Sequence, residues 1–307
     1  MSSVGLVGLG RMGSRMSKRL LESGYDVVGY DIRDEAVEEL ERAGGLGADS
    51  AATVAEDTGI VVTSLPTPEI VEQVFCDDNG LLSADANDVT VLETSTSTPE
   101  TTRTLAEVAE AERIHVVDAP VSGGTEGAQS GALTFMVGAS KADLDSSAVD
   151  VLEALGRNVY FLDRVGAGHA TKLVNNVLSA GNRALAMEAM ALGTAQGVEP
   201  EALFEVISNA SGSSNQFEKR IPRVLNRNFE PGFTVDLSRK DVKLALEAGN
   251  SIDYPMMLTS LVHEYYKETC AAGYGKEDAS ALVKVFEENA KVRIEARSEV
   301  DETFEGY

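Results

Sequence analysis

The sequence predicts an α/β domain built on a doubly wound, mostly parallel sheet, followed by an all-α domain. Three observations predict it. Short apolar runs alternate with amphipathic stretches through the first half of the chain, the signature of repeated βαβ units. A glycine-rich turn, Gly8-Leu9-Gly10-Arg11-Met12-Gly13, closes the first apolar run and opens the first amphipathic stretch. From Gly168 onward the strand patterns stop, and long alanine-, leucine- and methionine-rich stretches replace them.

Strands are expected at Val4-Val7, Asp26-Tyr30, Ile60-Ser64, Val89-Glu93 and Val116-Asp118, with helices between them. The first helix should run from about Arg11 to Ser23, because Met12, Met16 and Leu20 share one face and Gly24 supplies the stop. Runs at Leu133-Val137 and Val159-Leu162 read as extra strands extending the same sheet. The stretch from about Ala170 to Gln196 holds only two glycines and no proline, so it reads as a single helix of roughly 40 Å at 1.5 Å per residue. Helices are expected after it near Glu201-Ala210, Asn215-Arg223, Ser238-Gly249, Met256-Ala272 and Ala279-Lys291. The expected division is a nucleotide-binding domain over residues 1–165 and a helical domain over 166–307 for substrate and dimerisation.

Charge narrows the function classes. Against 50 Asp plus Glu stand 26 Lys plus Arg, giving a formal net charge of -24, a surface that nucleic acid or an anionic bilayer would repel. Only 10 of the cations are lysines, and the carboxylates are scattered along helical stretches such as Asp34 to Glu41. That pattern resembles a haloarchaeal cytoplasmic protein, with an ordinary acidic bacterial enzyme as the alternative. Cys76 and Cys270 lie far apart, which supports neither a disulfide framework nor a metal cluster and fits a reducing compartment. No apolar run approaches the roughly 20 residues of a membrane helix, and Ser2-Ser3-Val4 reads as the approach to a strand rather than a leader. A cytoplasmic location is expected. His115, His169 and His263 show no metal-ligand spacing, so no metal is expected.

The glycine turn is informative because of its place between strand and helix. Gly8 permits the tight turn, Gly10 lets backbone approach a pyrophosphate, and Gly13 lets helix and strand pack closely, with the helix N-terminus facing the phosphates. This is the fingerprint of a Rossmann dinucleotide site. Asp31 ends the second strand 18 residues after Gly13, near the spacing at which a carboxylate accepts hydrogen bonds from the adenosine ribose. A carboxylate there favours NAD over NADP. Arg33 opposes that inference, since a guanidinium near the ribose can grip a 2′-phosphate. Leu65-Pro66 and Ser95-Thr96 follow later strands and so stand at the carboxyl edge, where ligands of such sheets gather.

Two further segments carry chemistry. Lys172 opens the long helix with Asn175 and Asn176 at i+3 and i+4, three polar groups on one stripe of an otherwise apolar helix. Asp118-Ala119-Pro120-Val121-Ser122-Gly123-Gly124 ends a strand with a hydroxyl and two glycines whose unobstructed amides can cradle a carboxylate. His169, in the turn before Lys172, carries no assigned role.

Taken with the glycine turn and Arg239-Lys240-Asp241, these segments resemble the 3-hydroxyisobutyrate dehydrogenase family, the β-hydroxyacid dehydrogenases, over nearly the whole chain. The resemblance implies interconversion of a small anionic 3-hydroxy acid and its semialdehyde by an NAD-dependent oxidoreductase. It makes Lys172 the catalytic lysine, with Asn176 holding lysine and substrate. It places Ser122 and Gly123 on the substrate carboxylate, and Thr96 between nicotinamide and substrate. Lys240, from the helical domain, lines the cofactor side of the cleft, and Phe233 and Asp241 match positions at its mouth. Oxidation of an alcohol removes its proton as hydride leaves, and an amine within reach can take that proton if it is partly neutral. A cationic nicotinamide and a partly desolvated setting favour the neutral amine, while the substrate carboxylate opposes it.

Competing families fit less well. The 6-phosphogluconate dehydrogenases resemble Lys-x-x-His-Asn with a glutamate seven residues after the lysine, where this chain has Asn175-Asn176 and Ser179. Imine reductases usually lack the lysine, and non-enzymatic modules of this fold tend to lose it. The apolar second half suggests a homodimer or homotetramer built through the helical domains.

Overall fold

The computed structural model describes residues 3–303; Ser2 lies outside them. The chain divides into two compact units, one ending at Lys172 and one beginning at Leu173.

The described residues of the first unit form nine strands: β1 (Ser3–Val7), β2 (Asp26–Tyr30), β3 (Leu46–Gly47), β4 (Ile60–Thr63), β5 (Val89–Glu93), β6 (Ile114–Asp118), β7 (Val121–Ser122), β8 (Leu133–Val137) and β9 (Gly156–Phe161). Its helices are α1 (Gly13–Glu22), α2 (Asp34–Arg42), α3 (Ala51–Asp57), α4 (Pro68–Cys76), α5 (Pro99–Ala111), α6 (Gly124–Ser130) and α7 (Ser146–Leu155). The first six strands form a parallel sheet in the order β3-β2-β1-β4-β5-β6. The order reverses between β1 and β4, and a doubly wound sheet binds its ligand at that switch point.

Both faces of this sheet are covered, which is why β4 and β5 are buried at every residue and read as continuous apolar runs. Successive side chains go to opposite cores. Val4, Leu6, Ile60, Val62 and Leu92 join one cluster with Met16 and Leu20 of α1. Val7, Val61, Val89 and Val91 join the other with Val54, Val71, Phe75 and Leu105. Helix α1 ends where expected, with Gly24 at φ 89 beyond its last turn.

One expectation is corrected. The runs at Leu133-Val137 and Val159-Leu162 do not extend the main sheet: β7, β8 and β9 form a separate three-stranded sheet, β7 antiparallel and β9 parallel to β8. The chain turns at Ala119-Pro120 after β6, and the reversed segment Val121–Ser122 pairs with β8 in place of a seventh parallel strand.

Helix α8 (Ala167–Ala195) starts in the first unit and continues as the first element of the second. The second unit adds α9 (Pro200–Ser208), α10 (Asn215–Leu225), α11 (Val235–Asn250), α12 (Met257–Thr269) and α13 (Val283–Ala290). Its core gathers Met187, Met190, Phe217, Ile221, Val224, Tyr266, Leu282 and Phe286. The helix expected over Met256-Ala272 is α12 followed by a π turn at Cys270–Tyr274, where Gly273 at φ 94 breaks the helical path. The helix expected over Ala279-Lys291 begins as a 3₁₀ turn at Ala279–Leu282 before α13. Beyond β9 the described residues show strand-type pairing only as the isolated bridge Thr234 with Asp278.

Candidate active site

At the switch point, Gly8 adopts φ 93, and a Cβ there would stand 2.4 Å from the Ser64 carbonyl oxygen. A Cβ on Gly13 would stand 1.8 Å from the Gly8 carbonyl oxygen, so only glycine lets α1 start this close to β1. A Cβ on Gly10 would meet no atom within 4 Å, so the turn has open space beside its backbone. Helix α1 has no side-chain cap and no acidic residue in its first turn. Its first amides, near Gly10 to Gly13, are oriented for an anion, as a pyrophosphate requires.

Asp31 is tied into the same turn. Its Oδ2 accepts from the Leu9 amide at 2.8 Å, and its Oδ1 accepts from the Arg33 amide and Nε, both at 3.0 Å. The carboxylate side chain is 9% exposed while the Arg33 side chain is 57% exposed. Arg33 is therefore drawn to Asp31, and its Nη2 also donates to the Leu9 carbonyl at 3.4 Å. These residues fit a dinucleotide: a glycine turn with open space, an uncapped helix start and a positioned carboxylate.

Along the carboxyl edge, the Leu65 amide, just before Pro66, donates to Ser95 Oγ at 2.8 Å. The Ser95 amide donates to Glu93 Oε1 at 2.8 Å, and Thr94 Oγ1 donates to the Thr63 carbonyl at 2.6 Å. These bonds join the loops after β4 and β5 and set half-buried Thr96 at the edge. Lys172 Nζ donates to the Val121 carbonyl at 2.7 Å. That bond brings the lysine to β7, whose last residue is Ser122, followed by Gly123 at φ 127 and Gly124 at φ 63.

In the second unit, Asn176 is buried, and its Nδ2 donates to Asp241 Oδ2 at 3.0 Å, while Asn175 Nδ2 donates to Asn176 Oδ1 at 3.3 Å. Lys240 Nζ lies 3.2 Å from Asp241 Oδ1. Four expected polar residues thus form one connected chain. Phe233, ahead of α11 and 36% exposed, takes no part in it.

Sequence reasoning missed two networks. Further along α8, Arg183 is buried and donates to Ser238 Oγ (2.9 Å), Tyr266 Oη (2.8 Å), Gln216 Oε1 (3.1 Å) and Ser179 Oγ (3.3 Å), all neutral acceptors. Its signal was the spacing of Lys172, Asn176, Ser179 and Arg183 along one helical stripe. The second network lies in the first unit and joins Glu93, Asp118 and His169, all buried. Asp118 Oδ1 accepts from the Gly166 amide at 2.8 Å and Oδ2 from the His169 amide at 2.9 Å, capping the start of α8. Burial pulls the His169 pKa down, but the Glu93 carboxylate, the charge of Asp118 and the Ser95 carbonyl outweigh it and hold it above the usual value. Burial pushes Glu93 up, yet His169 and Ser95 hold it below the ordinary carboxylate value.

Among the described residues no group of three or more His, Cys, Asp or Glu is placed to hold a metal ion, and no helix is long and apolar enough to cross a membrane.

Fold and site together define a dinucleotide-dependent oxidoreductase with a helical second unit. A family model described as the NAD binding domain of 6-phosphogluconate dehydrogenase matches residues 3–163, and one described as NAD-binding of NADP-dependent 3-hydroxyisobutyrate dehydrogenase matches residues 166–286. The chain is 38% identical over 292 residues to the 2-(hydroxymethyl)glutarate dehydrogenase of Eubacterium barkeri, covering 95% of this chain and 97% of that one. It is 36% identical to the NAD-dependent L-serine dehydrogenase of Pseudomonas aeruginosa, covering 94% and 98%. A solved structure of Mycobacterium tuberculosis 3-hydroxyisobutyrate dehydrogenase with L-serine superposes with a TM-score of 0.86 at 30% identity, covering 93% and 99%. The chain belongs to the 3-hydroxyisobutyrate dehydrogenase family, the β-hydroxyacid dehydrogenases.

Proposed function

We propose that this enzyme interconverts a small 3-hydroxy acid and its semialdehyde with NAD, and that Lys172 exchanges the hydroxyl proton. The observation that carries the reading is Lys172 Nζ held at 2.7 Å on the Val121 carbonyl, beside Ser122 and in the same compact unit as the glycine turn. Gly8, Leu9, Gly10, Arg11, Met12 and Gly13 would hold the pyrophosphate, Asp31 the adenosine ribose, and Leu65, Pro66, Thr96 and Lys240 the rest of the dinucleotide. The chemistry such a cofactor supplies when bound is acceptance of a hydride at nicotinamide C4. As neutral amine, Lys172 takes the substrate hydroxyl proton; as ammonium it returns the proton to the aldehyde oxygen in the reverse direction.

Ser122 and Gly123 are assigned to the substrate carboxylate, with Thr96 beside the reacting carbon. Asn176 and Asp241, one hydrogen-bonded pair, are assigned with Phe233 to substrate recognition. The compounds named for the three relatives, 2-(hydroxymethyl)glutarate, L-serine and 3-hydroxyisobutyrate, share a hydroxymethyl group on the carbon bearing the carboxylate. That shared fragment supports a 2-substituted 3-hydroxypropanoate as substrate. NAD is preferred because the half-buried Asp31 carboxylate, not Arg33, stands immediately after β2. The net charge of -24 supports a salt-rich cytosol as the working medium.

A homodimer or homotetramer through the second unit is supported by Val174, Leu178, Leu185 and Leu192, a stripe on α8 with every member more than half exposed. The test is NADH or NADPH formation at high salt against 3-hydroxyisobutyrate, L-serine, glycerate, 3-hydroxypropionate, sulfolactate and 6-phosphogluconate. Turnover of a short 3-hydroxy acid with NAD is expected. Turnover of 6-phosphogluconate alone would refute the substrate class, and activity with NADP alone would refute the Asp31 argument.

A further inference from the structure

His169 stands three residues before Lys172 on α8, wholly buried, and is absent from the chemistry assigned so far. Its ring has four neighbours. Nδ1 lies 2.6 Å from Thr102 Oγ1, a hydroxyl that can accept from the ring while donating to the Thr98 carbonyl at 3.1 Å, or turn to donate to the ring. Nε2 lies 3.1 Å from the Ser95 carbonyl and 3.1 Å from Glu93 Oε2. That Oε2 is buried with no hydrogen-bond partner of its own, so the ring N–H is aimed at Ser95 and the carboxylate contributes charge from the side. The fourth neighbour is Asp118, with Oδ2 3.9 Å from Nδ1.

Nε2 therefore faces acceptors and must carry a proton, Nδ1 faces a hydroxyl that serves either protonation state, and the second ring proton is called for by the two carboxylates around the ring. The ionisable groups that meet the ring are Glu93 from β5 and Asp118 from β6; outside them the Arg103 side chain of α5 lies against Gly166 at the start of α8. One buried cation between two buried carboxylates is a compensated cluster, whereas the neutral ring would leave both carboxylates without their counter-charge. The partners of this ring also belong to segments that matter. Ser95 is bonded to Leu65 and precedes Thr96, Asp118 caps α8 and leads into the Val121-Ser122 strand, and His169 lies on the turn that launches Lys172.

We propose that His169, as an imidazolium, is a positioning residue that pins the start of α8 to the 93–98 loop and thereby fixes Lys172 relative to Thr96 and Ser122. The proposal rests on the role given to Lys172 above. It differs from simple core packing in one respect: the arrangement depends on the ring's positive charge between Glu93 and Asp118. A neutral ring could keep both Ser95 and Thr102, with the Thr102 hydroxyl turned to donate, but it would leave Glu93 and Asp118 to repel each other across it, and a small displacement of a reacting group costs about ten- to a hundredfold in rate.

The first experiment is ¹⁵N NMR of the histidine side chains in the apo protein, with His169→Gln used only to identify the resonance among three histidines. Both His169 ring nitrogens are expected to be protonated at pH 7, and a single neutral tautomer there would overturn the proposal. The second is the pH profile of kcat for Glu93→Gln, which keeps the shape and removes the charge. We expect a new inflection, with kcat falling about tenfold or more on the alkaline side and KM little changed. A profile superimposable on the wild type, with only the melting temperature lowered, would show a structural role alone and overturn it. If Glu93→Gln does not fold, Asp118→Asn, which removes the charge of the other carboxylate facing the ring, takes its place with the same two outcomes. Failure of the parent reading is separate: full activity of Lys172→Ala would remove the role of the lysine and leave the ring protonation as measured.

Discussion

Replacing Gly10 by alanine is expected to leave the fold intact and to cripple cofactor binding, whereas the same methyl at Gly13 should damage both. The difference follows from what each Cβ would meet. At Gly10 nothing lies within 4 Å, so the folded state loses no more than about 0.5 kcal/mol, or roughly 1–2 °C in Tm. At Gly13 the new carbon stands 1.8 Å from the Gly8 carbonyl oxygen, and backbone must move, at a cost of about 1–3 kcal/mol or more. If the open space beside Gly10 is where phosphate approaches, a methyl there removes one or two charge-assisted hydrogen bonds. At about 1.5–3 kcal/mol each, that weakens NADH binding at least about tenfold. Thermal melts and NADH fluorescence titrations of both variants measure the two effects. Wild-type NADH affinity in Gly10→Ala would refute the placement of the cofactor. A melting temperature lowered as far as in Gly13→Ala would refute the packing argument.

Three other outcomes are expected. Asp31→Ser removes the partner that holds Arg33 Nε at 3.0 Å, and the ratio of kcat/KM with NADP to that with NAD should rise about ten- to a hundredfold. The Glu93–His169 pair should stabilise the fold most in mildly acidic solution. The raised pKa of His169 gives stability that is full below its ordinary 6.5 and lost as pH rises through the folded value. The lowered pKa of Glu93 gives stability present above its ordinary 4.5 and lost as pH falls through the folded value. The Tm gap between wild type and Glu93→Gln should thus be widest between those two values and narrow on either side. Leu185→Glu puts a charge into the exposed α8 stripe and, if the proposed oligomer forms through that stripe, should yield monomer by light scattering where the wild type gives dimer or tetramer, with the helical content unchanged.

What the sequence revealed and what it concealed divide along locality. The Gly8–Gly13 turn, α1 and the buried strands β4 and β5 were legible because each is specified by neighbours: a glycine where a Cβ would strike backbone, an apolar face at helical spacing, an unbroken apolar run. The short strand β3 at Leu46–Gly47 has only 2 residues, too few for any period to show. For β8 and β9 the apolar runs were visible but their separate sheet was not, since β8 takes β7 as its second neighbour only because the chain turns at Pro120. Of the residues proposed for the site, Lys172 and Asn176 stand out in the sequence by helical spacing, and Asp31 by its distance to the glycines. The bonds that orient them do not. His169 meets Glu93 across 76 positions and Asp118 across 51, and Asn176 meets Asp241 across 65, separations over which residue type alone carries no signal.

The proposed division of roles gives the proton to Lys172 and the cofactor to the glycine turn. It is tested most directly by measuring kcat and the NADH dissociation constant of Lys172→Ala side by side. A fall in kcat of about a hundred- to ten-thousandfold with NADH affinity preserved is the predicted result. A kcat close to wild type would contradict the assignment of the lysine and the mechanism built on it.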